Sequence, residues 1–165
     1  MPTPAYMTIK GSRQGLISAG AMTDESIGGL WQLGHEDQIL VQGVEHVVRV
    51  PKGGTAGKRM HTPMIITKSI DKSSPLIFHA FCTGESLDVC RLDYYRTSSH
   101  GTQENYYTVE LEDAVIVGID EIMPHCQDLS SAHFTVMEMV HIAYRRITKR
   151  HEVCRTMGAD EWQEG

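Results

Sequence analysis

The sequence predicts a mainly β chain with one short helix, and three observations carry that prediction. The first is alternation. In "ENYYTVELEDAVIVGIDEIM", Tyr107, Val109 and Leu111 alternate with Thr108 and Glu110, and Val115, Val117 and Ile119 resume the same parity. Period two is the pattern of a half-buried strand. The second is punctuation, because "SSHGTQ" and the glycine-rich "PKGGTAGKRMHTP" separate apolar runs, as turns and exposed loops do. The third is that one segment, "DKSSPLIFHAFCTGES", carries a full set of helix signals.

Taken in order, "AYMTIKG" is a short strand ended by glycine. "QILVQGVEHVVRV" is rich in β-branched residues and stops at Pro51. Residues 51–60 form an extended loop, followed by the strand "MIITKSI". The helix spans about residues 74–84. Ser74 is its expected N-cap and Pro75 its first helical residue, where the missing N–H costs nothing. Ile77, Ala80 and Phe81 share one face, and Gly84 supplies a left-handed cap. "LDVCRLDYYRT" is the next strand. The alternating stretch after it is too long for one ordinary strand, so a turn is expected near "LEDA". In "HFTVMEMVHIAYRRITKRHEV", Val136, Met139, Val140, Ala143 and Ile147 fit a helix. Phe134, Val136, Val140, Ile142 and Tyr144 fit a strand equally well, with Glu138 the exception. Residues from about 155 to 165 are expected to be a flexible tail.

Length and composition bound the function. The 165 residues suit a single domain, able to bury roughly 70% of its unfolded surface. Hydrophobic residues make up 41% and charged residues 22%, with a net charge of −6. An acidic chain whose basic residues are scattered argues against a phosphate-backbone binder. The N-terminal stretch lacks the basic and apolar regions of a signal peptide, and no apolar run approaches a membrane span. Cys82, Cys90, Cys126 and Cys154 form no CxxC pair and are expected as free thiols.

Three clusters raise the question of catalysis. "PHCQDLSSAH" gathers His125, Cys126, Asp128 and His133. A zinc site wants convergent, usually paired ligands, but adjacent side chains on extended backbone point apart. A polar connection between strands is the simpler reading. "HAFC" places His79 one turn before Cys82, and "HEVC" places His151 likewise before Cys154. A catalytic Cys–His pair also wants an orienting carboxamide or carboxylate and an oxyanion hole. Cys82, between Phe81 and Thr83, is expected as a buried core thiol. "GHED" sets His35, Glu36 and Asp37 side by side in a glycine-flanked loop, where carboxylates are usually solvated. No HExxH, GxSxG, phosphate-binding or dinucleotide fingerprint occurs.

Over nearly its whole length the chain resembles the Hcp proteins of bacterial type VI secretion systems, in their enterobacterial branch. The resemblance rests on "MPTPAYMTIKGSRQGLISAGA", "GHEDQILVQGVEHVV" and "TKSIDKSSPLIFHAFCTGESL". It continues through "YYRTSSHGTQENYYTVELEDAVIVGI", "MPHCQD" and "VHIAYRRITKRHE", in that order and spacing. It implies a compact β-barrel of two sheets with the short helix beside it, and it favours a strand for "TVMEMVHIAYRRI". It further implies a homohexameric ring, stacked rings forming a tube inside a contractile sheath, a capping spike protein, and small effectors carried or chaperoned in the lumen. The protein would assemble in the cytoplasm and leave the cell without a signal peptide. It implies no catalytic residue, metal or cofactor.

Within that frame Lys52, Gly53, Gly54, Lys58 and Arg59 are the expected subunit or ring contact loop, and Glu45 the expected lumen-facing side chain. The sequence departs from relatives at Gly29, Gln38 and Lys149. Relatives that carry a toxic C-terminal domain are longer than this chain. The rivals are a small Cys/His-dependent hydrolase or metal-dependent enzyme and a monomeric ligand-binding barrel.

Overall fold

The structure, a computed structural model, describes residues 3–53 and 59–162. The chain runs β1 (Ala5–Gly11), β2 (Gly15–Leu16), α1 (Asp24–Ile27), β3 (Ile39–Glu45), β4 (Val48–Arg49), β5 (Met60–His61) and β6 (Met64–Ser69). It continues as α2 (Ser74–Thr83), β7 (Ser86–Thr97), β8 (Gln103–Glu112), β9 (Ala114–Ile122), β10 (Met137–Ala143), β11 (Arg146–His151) and β12 (Thr156–Glu161). A ten-stranded antiparallel sheet has the order β12-β11-β8-β7-β9-β10-β6-β3-β1-β2, and β4 and β5 form a separate two-stranded sheet. Because β7 also pairs with β1, the pairings run from β1 through β3, β6, β10, β9 and β7 back to β1. The mainly β architecture is as expected, but the two sheets are very unequal.

The inward residues of this curled sheet form one core that includes Met7, Ile9, Ile39, Met64, Ile66, Leu92, Val140 and Ile142. A smaller cluster of Tyr6, Met22 and Leu40 lies apart from it. There the Tyr6 ring stacks on His35 at 3.8 Å and its hydroxyl donates to Gln32. Tyr6 is buried among these groups, which is why β1 shows almost no polar alternation.

The turn near "LEDA" falls at Asp113, whose φ is +50°, between β8 and β9. The ambiguous segment forms two strands, β10 and β11, broken at Tyr144 and Arg145. Glu138, the residue that spoils its alternation, faces the core because its cross-strand partner is Lys68. The Lys68 ammonium is fully buried and has three acceptors. It donates to Ser74 Oγ at 2.9 Å and to Glu138 Oε1 at 2.5 Å, and lies 3.1 Å from Asp71 Oδ1. An ammonium has three donors, so this charge is completely paired.

That cluster also changes the helix start. Helix α2 begins at Ser74, with Ser73 at the N-cap position but making no side-chain cap, rather than one residue later. The Ser74 hydroxyl does not cap a first-turn N–H, because it accepts from Lys68 and from the Asp71 N–H. Gly84 adopts the expected left-handed conformation at φ 67°. Ile77 and Ala80 are buried, but Phe81 and Cys82 are exposed, so the helix buries a narrower stripe than expected. The buried thiol is Cys90, whose pKa burial pushes up to about 12.

Residues 156–161, expected within a flexible tail, form β12 along β11. At Gly11 a Cβ would stand 1.8 Å from Glu85 Oε2. The Glu85 carboxylate needs that space to accept the N–H groups of Arg13 and Gln14.

Lys68→Met leaves Glu138 and Asp71 without their cation, and should destabilise the fold by about 3–5 kcal/mol. Lys68→Met with Glu138→Leu should recover part of that loss. Urea unfolding of the two variants measures the difference.

Candidate functional site

The glycine-rich loop grows from the hairpin β4–β5, which stands off the main sheet. Lys52 and Gly53 form an exposed turn, with Gly53 at φ 83°, and Gly54 and Lys58 lie outside the described residues. Val48, Val50 and Met60 are exposed apolar side chains on the same hairpin. Basic and apolar groups thus project together from one narrow element, a composition suited to a protein contact.

Polar side chains hold the hairpin to the body. His46 Nε2 and His61 Nδ1 reach the Tyr144 hydroxyl at 2.6 and 2.8 Å. His61 Nε2 meets Asp160 Oδ2 at 2.7 Å, and Arg59 donates from Nε to the same carboxylate at 2.5 Å and from Nη2 to Oδ1. Trp162 lies on His61 at 6.1 Å and edge-on to Tyr144 at 5.2 Å. The loop's return is therefore seated on β12 and the residue after it. The sequence reading missed His46, His61, Tyr144, Asp160 and Trp162. They are separated by up to about a hundred positions and match no local motif.

Electrostatics follow from this packing. Hydrogen bonds from Arg59 hold the Asp160 carboxyl far below the usual carboxylate range. Burial, aided by the Asp160 charge, raises the Tyr144 phenol. Burial lowers His46 to about 4, with smaller contributions from Lys149 and His61. Lys149 thus lies close enough to act on the loop root, while it pairs in register with Val109 and Gly158. Gln38 donates to Asp93 Oδ2 at 3.0 Å and contacts His35 at 2.7 Å. A carboxylate at position 38 would face Asp93 instead. Gly29 lies in the turn after α1 with open space around it.

Glu45 ends β3 on the face away from the core. Register places Glu45, Ile65, His141 and Gly118 in one row across the sheet, and Gly43, Thr67, Met139 and Asp120 in the next. Beside these rows a groove of about 240 Å³ is lined by Thr67, Ile122, Phe134, Met137 and Met139.

The cysteine and histidine candidates do not assemble. Cys126 is exposed in the connection after β9, and His125 Nδ1 accepts only from the Gln127 N–H. Asp128 caps the short turn at Ser130, and His133 packs against Phe134 at 4.3 Å. His151 Nδ1 accepts from the Cys154 N–H, which closes the turn between β11 and β12. Among the described residues no three His, Cys, Asp or Glu side chains converge as a metal would require. No described helix is long and apolar enough to cross a membrane.

Comparison with known proteins places the whole chain. The family model described as "Type VI secretion system effector, Hcp" matches residues 6–151. The "Major exported protein" of Pseudomonas aeruginosa is 52% identical over 167 residues, covering 99% of this chain and 97% of that protein. A structure described as "Crystal structure of Hcp protein" superposes with a TM-score of 0.91 at 42% identity, over 98% of this chain and 99% of that one. "Secreted protein Hcp3 from Pseudomonas aeruginosa" superposes with a TM-score of 0.86 at 49% identity, over the same shares of the two chains.

His46 gives a prediction with a definite sign. Its folded pKa of about 4 lies below the ordinary 6.5, so the unfolded chain takes up the proton first. The His46 contribution is complete above pH 6.5 and is lost as pH falls toward 4. Half-exposure limits it to about 1 kcal/mol. Wild-type Tm should fall over that window, and His46→Gln should flatten the fall in thermal melts.

Proposed function

The chain belongs to the Hcp family of type VI secretion proteins, and from that premise we propose that it is the exported tube component of such a system. Six copies close head to tail into a ring, and rings stack into the inner tube that sheath contraction expels. The match along almost the whole chain to a protein named for its export, and to Hcp structures at 42% and 49% identity, carries this reading. The family is one of structural tube proteins rather than enzymes, and the scattered Cys and His side chains give no ground for the hydrolase alternative.

Surface chemistry supports assembly. A cyclic ring joins two different surfaces of the same chain, and exposed strand edges must be covered. The β4–β5 hairpin, with Lys52, Gly53 and Arg59 and with Gly54 and Lys58 beyond the described residues, is the proposed contact arm. Val48, Val50, Met60 and Phe78 are exposed apolar groups available for burial between subunits. The face bearing Glu45, Thr67 and Met139 is the proposed lumen wall, where small effectors ride. A spike protein and the sheath are the remaining partners, and residues 1–165 act as one domain. Assembly takes place in the cytoplasm, and the apparatus then delivers the protein outside.

Negative-stain micrographs of the purified protein should average in top view to six-fold rings with an open centre. Monomers alone at every concentration and with partner proteins added would sink the ring reading. Cys126→Ala combined with His133→Ala should leave the rings unchanged, whereas a zinc site in that loop predicts bound zinc in the wild type and its loss in the variant. Elemental analysis of untagged protein reads this directly.

A further inference from the structure

Strand β12 is unusual in what it buries. Among the described residues it is an edge strand paired only with β11, and five of its six residues are exposed. The half-buried one is Asp160, which sits opposite the buried Ile147 and so turns its side chain toward the body. Apolar side chains normally hold such a strand, yet here the inward group is a carboxylate aimed at the root of the loop.

The hydrogen bonds around it have one consistent direction. Asp160 is ionised, so His61 Nε2 must donate to it. In its neutral form His61 has no second ring proton, so Nδ1 then accepts from the Tyr144 hydroxyl. With its proton committed, the Tyr144 oxygen is left to accept from His46 Nε2–H. The chain therefore reads His46 to Tyr144 to His61 to Asp160, with Arg59 donating from the other side. Its order is set at the Asp160 end. Glu161 does not share this duty, because it faces Arg145 at 3.2 Å.

We propose that Asp160 is a positioning residue for the contact arm. By accepting from both Arg59 and His61, it fixes the angle at which the β4–β5 hairpin leaves the barrel and makes the C-terminal strand a strap on the loop. The proposal rests on the reading of that hairpin as a subunit contact. Asp160 itself need not touch a neighbouring subunit, since it acts through the arm.

Asp160→Asn in the full chain is the test, with Asp160→Glu as the conservative rescue. Trypsin cleavage after Lys52, Lys58 or Arg59 should be at least about 10-fold faster in Asp160→Asn, and the concentration at which rings dissociate should rise about 10-fold. The Tm of the barrel should stay near the wild-type value. The His61 Nε2–H signal in nitrogen-edited NMR should disappear in Asp160→Asn and return in Asp160→Glu. Unchanged cleavage and an unchanged His61 signal would overturn the proposal. So would a global fall in Tm in both variants, because the carboxylate would then hold the fold rather than the arm. If the wild type forms no rings, cleavage and the His61 signal still decide whether the strap exists, and only the ring reading fails.

Discussion

The buried ammonium of Lys68 is the constraint on which the barrel depends. A cation taken out of water needs its donors filled and its charge answered, and here three acceptors come from three places. Glu138 arrives from β10, Asp71 from the turn after β6, and Ser74 from the first turn of α2. Those pieces can meet only if β6 and β10 pair in one register and the chain enters α2 immediately after that turn. A register slip would turn Lys68 and Glu138 to opposite faces. The cluster thus helps to specify the pairing as well as to stabilise it.

Much of the fold was legible because it is local. Alternation in β8 and the left-handed Gly84 each depend on neighbours a few positions away. Beyond the turn at Asp113 the expected parity reverses, so that Ala114 and Ile116 are buried and Val117 is exposed. Lys68 was not legible, because "TKSID" has the composition of a solvated strand end. Its burial depends on a carboxylate 70 residues later. Glu138 carried the one visible trace as the polar interruption in an otherwise regular strand face. Strand β12 was missed for a related reason, since "TMGADE" holds only two apolar residues, Met157 and the small Ala159, and both are exposed. Cys82 is exposed rather than buried because a short helix buries a stripe only as wide as its contact with the sheet.

The glycine-rich loop was legible as a loop but not as an anchored one. Glycines and basic residues between two prolines identify an exposed excursion. They carry no information on the groups that hold its root. Those groups, His61 in β5, Tyr144 between β10 and β11 and Asp160 in β12, are ordinary polar residues far apart in sequence, and only the folded register gathers them. The departure at Lys149 gains meaning in the same way. Its charge acts on His46 across the loop root, a relation that spacing along the chain does not reveal.

These two polar clusters do different work because they differ in burial. The Lys68 group is sealed in the core, where an unpaired charge is costly and any change is felt by the whole barrel. The Asp160 group lies at the margin, with the side chains of Asp160 and Arg59 29% and 35% exposed, so solvent screens its charges and can replace a lost partner. Direction then outweighs strength at this site. A screened ion pair adds little to the stability of the fold. It can still select one orientation of a hairpin that shares no sheet with the body. With the hairpin as the proposed contact arm, a ring repeats that orientation at every interface, so a small bias in one subunit is counted once per subunit in the closed assembly. Marginal burial therefore suits the positioning role proposed for Asp160, as full burial suits a group that sets how the chain folds.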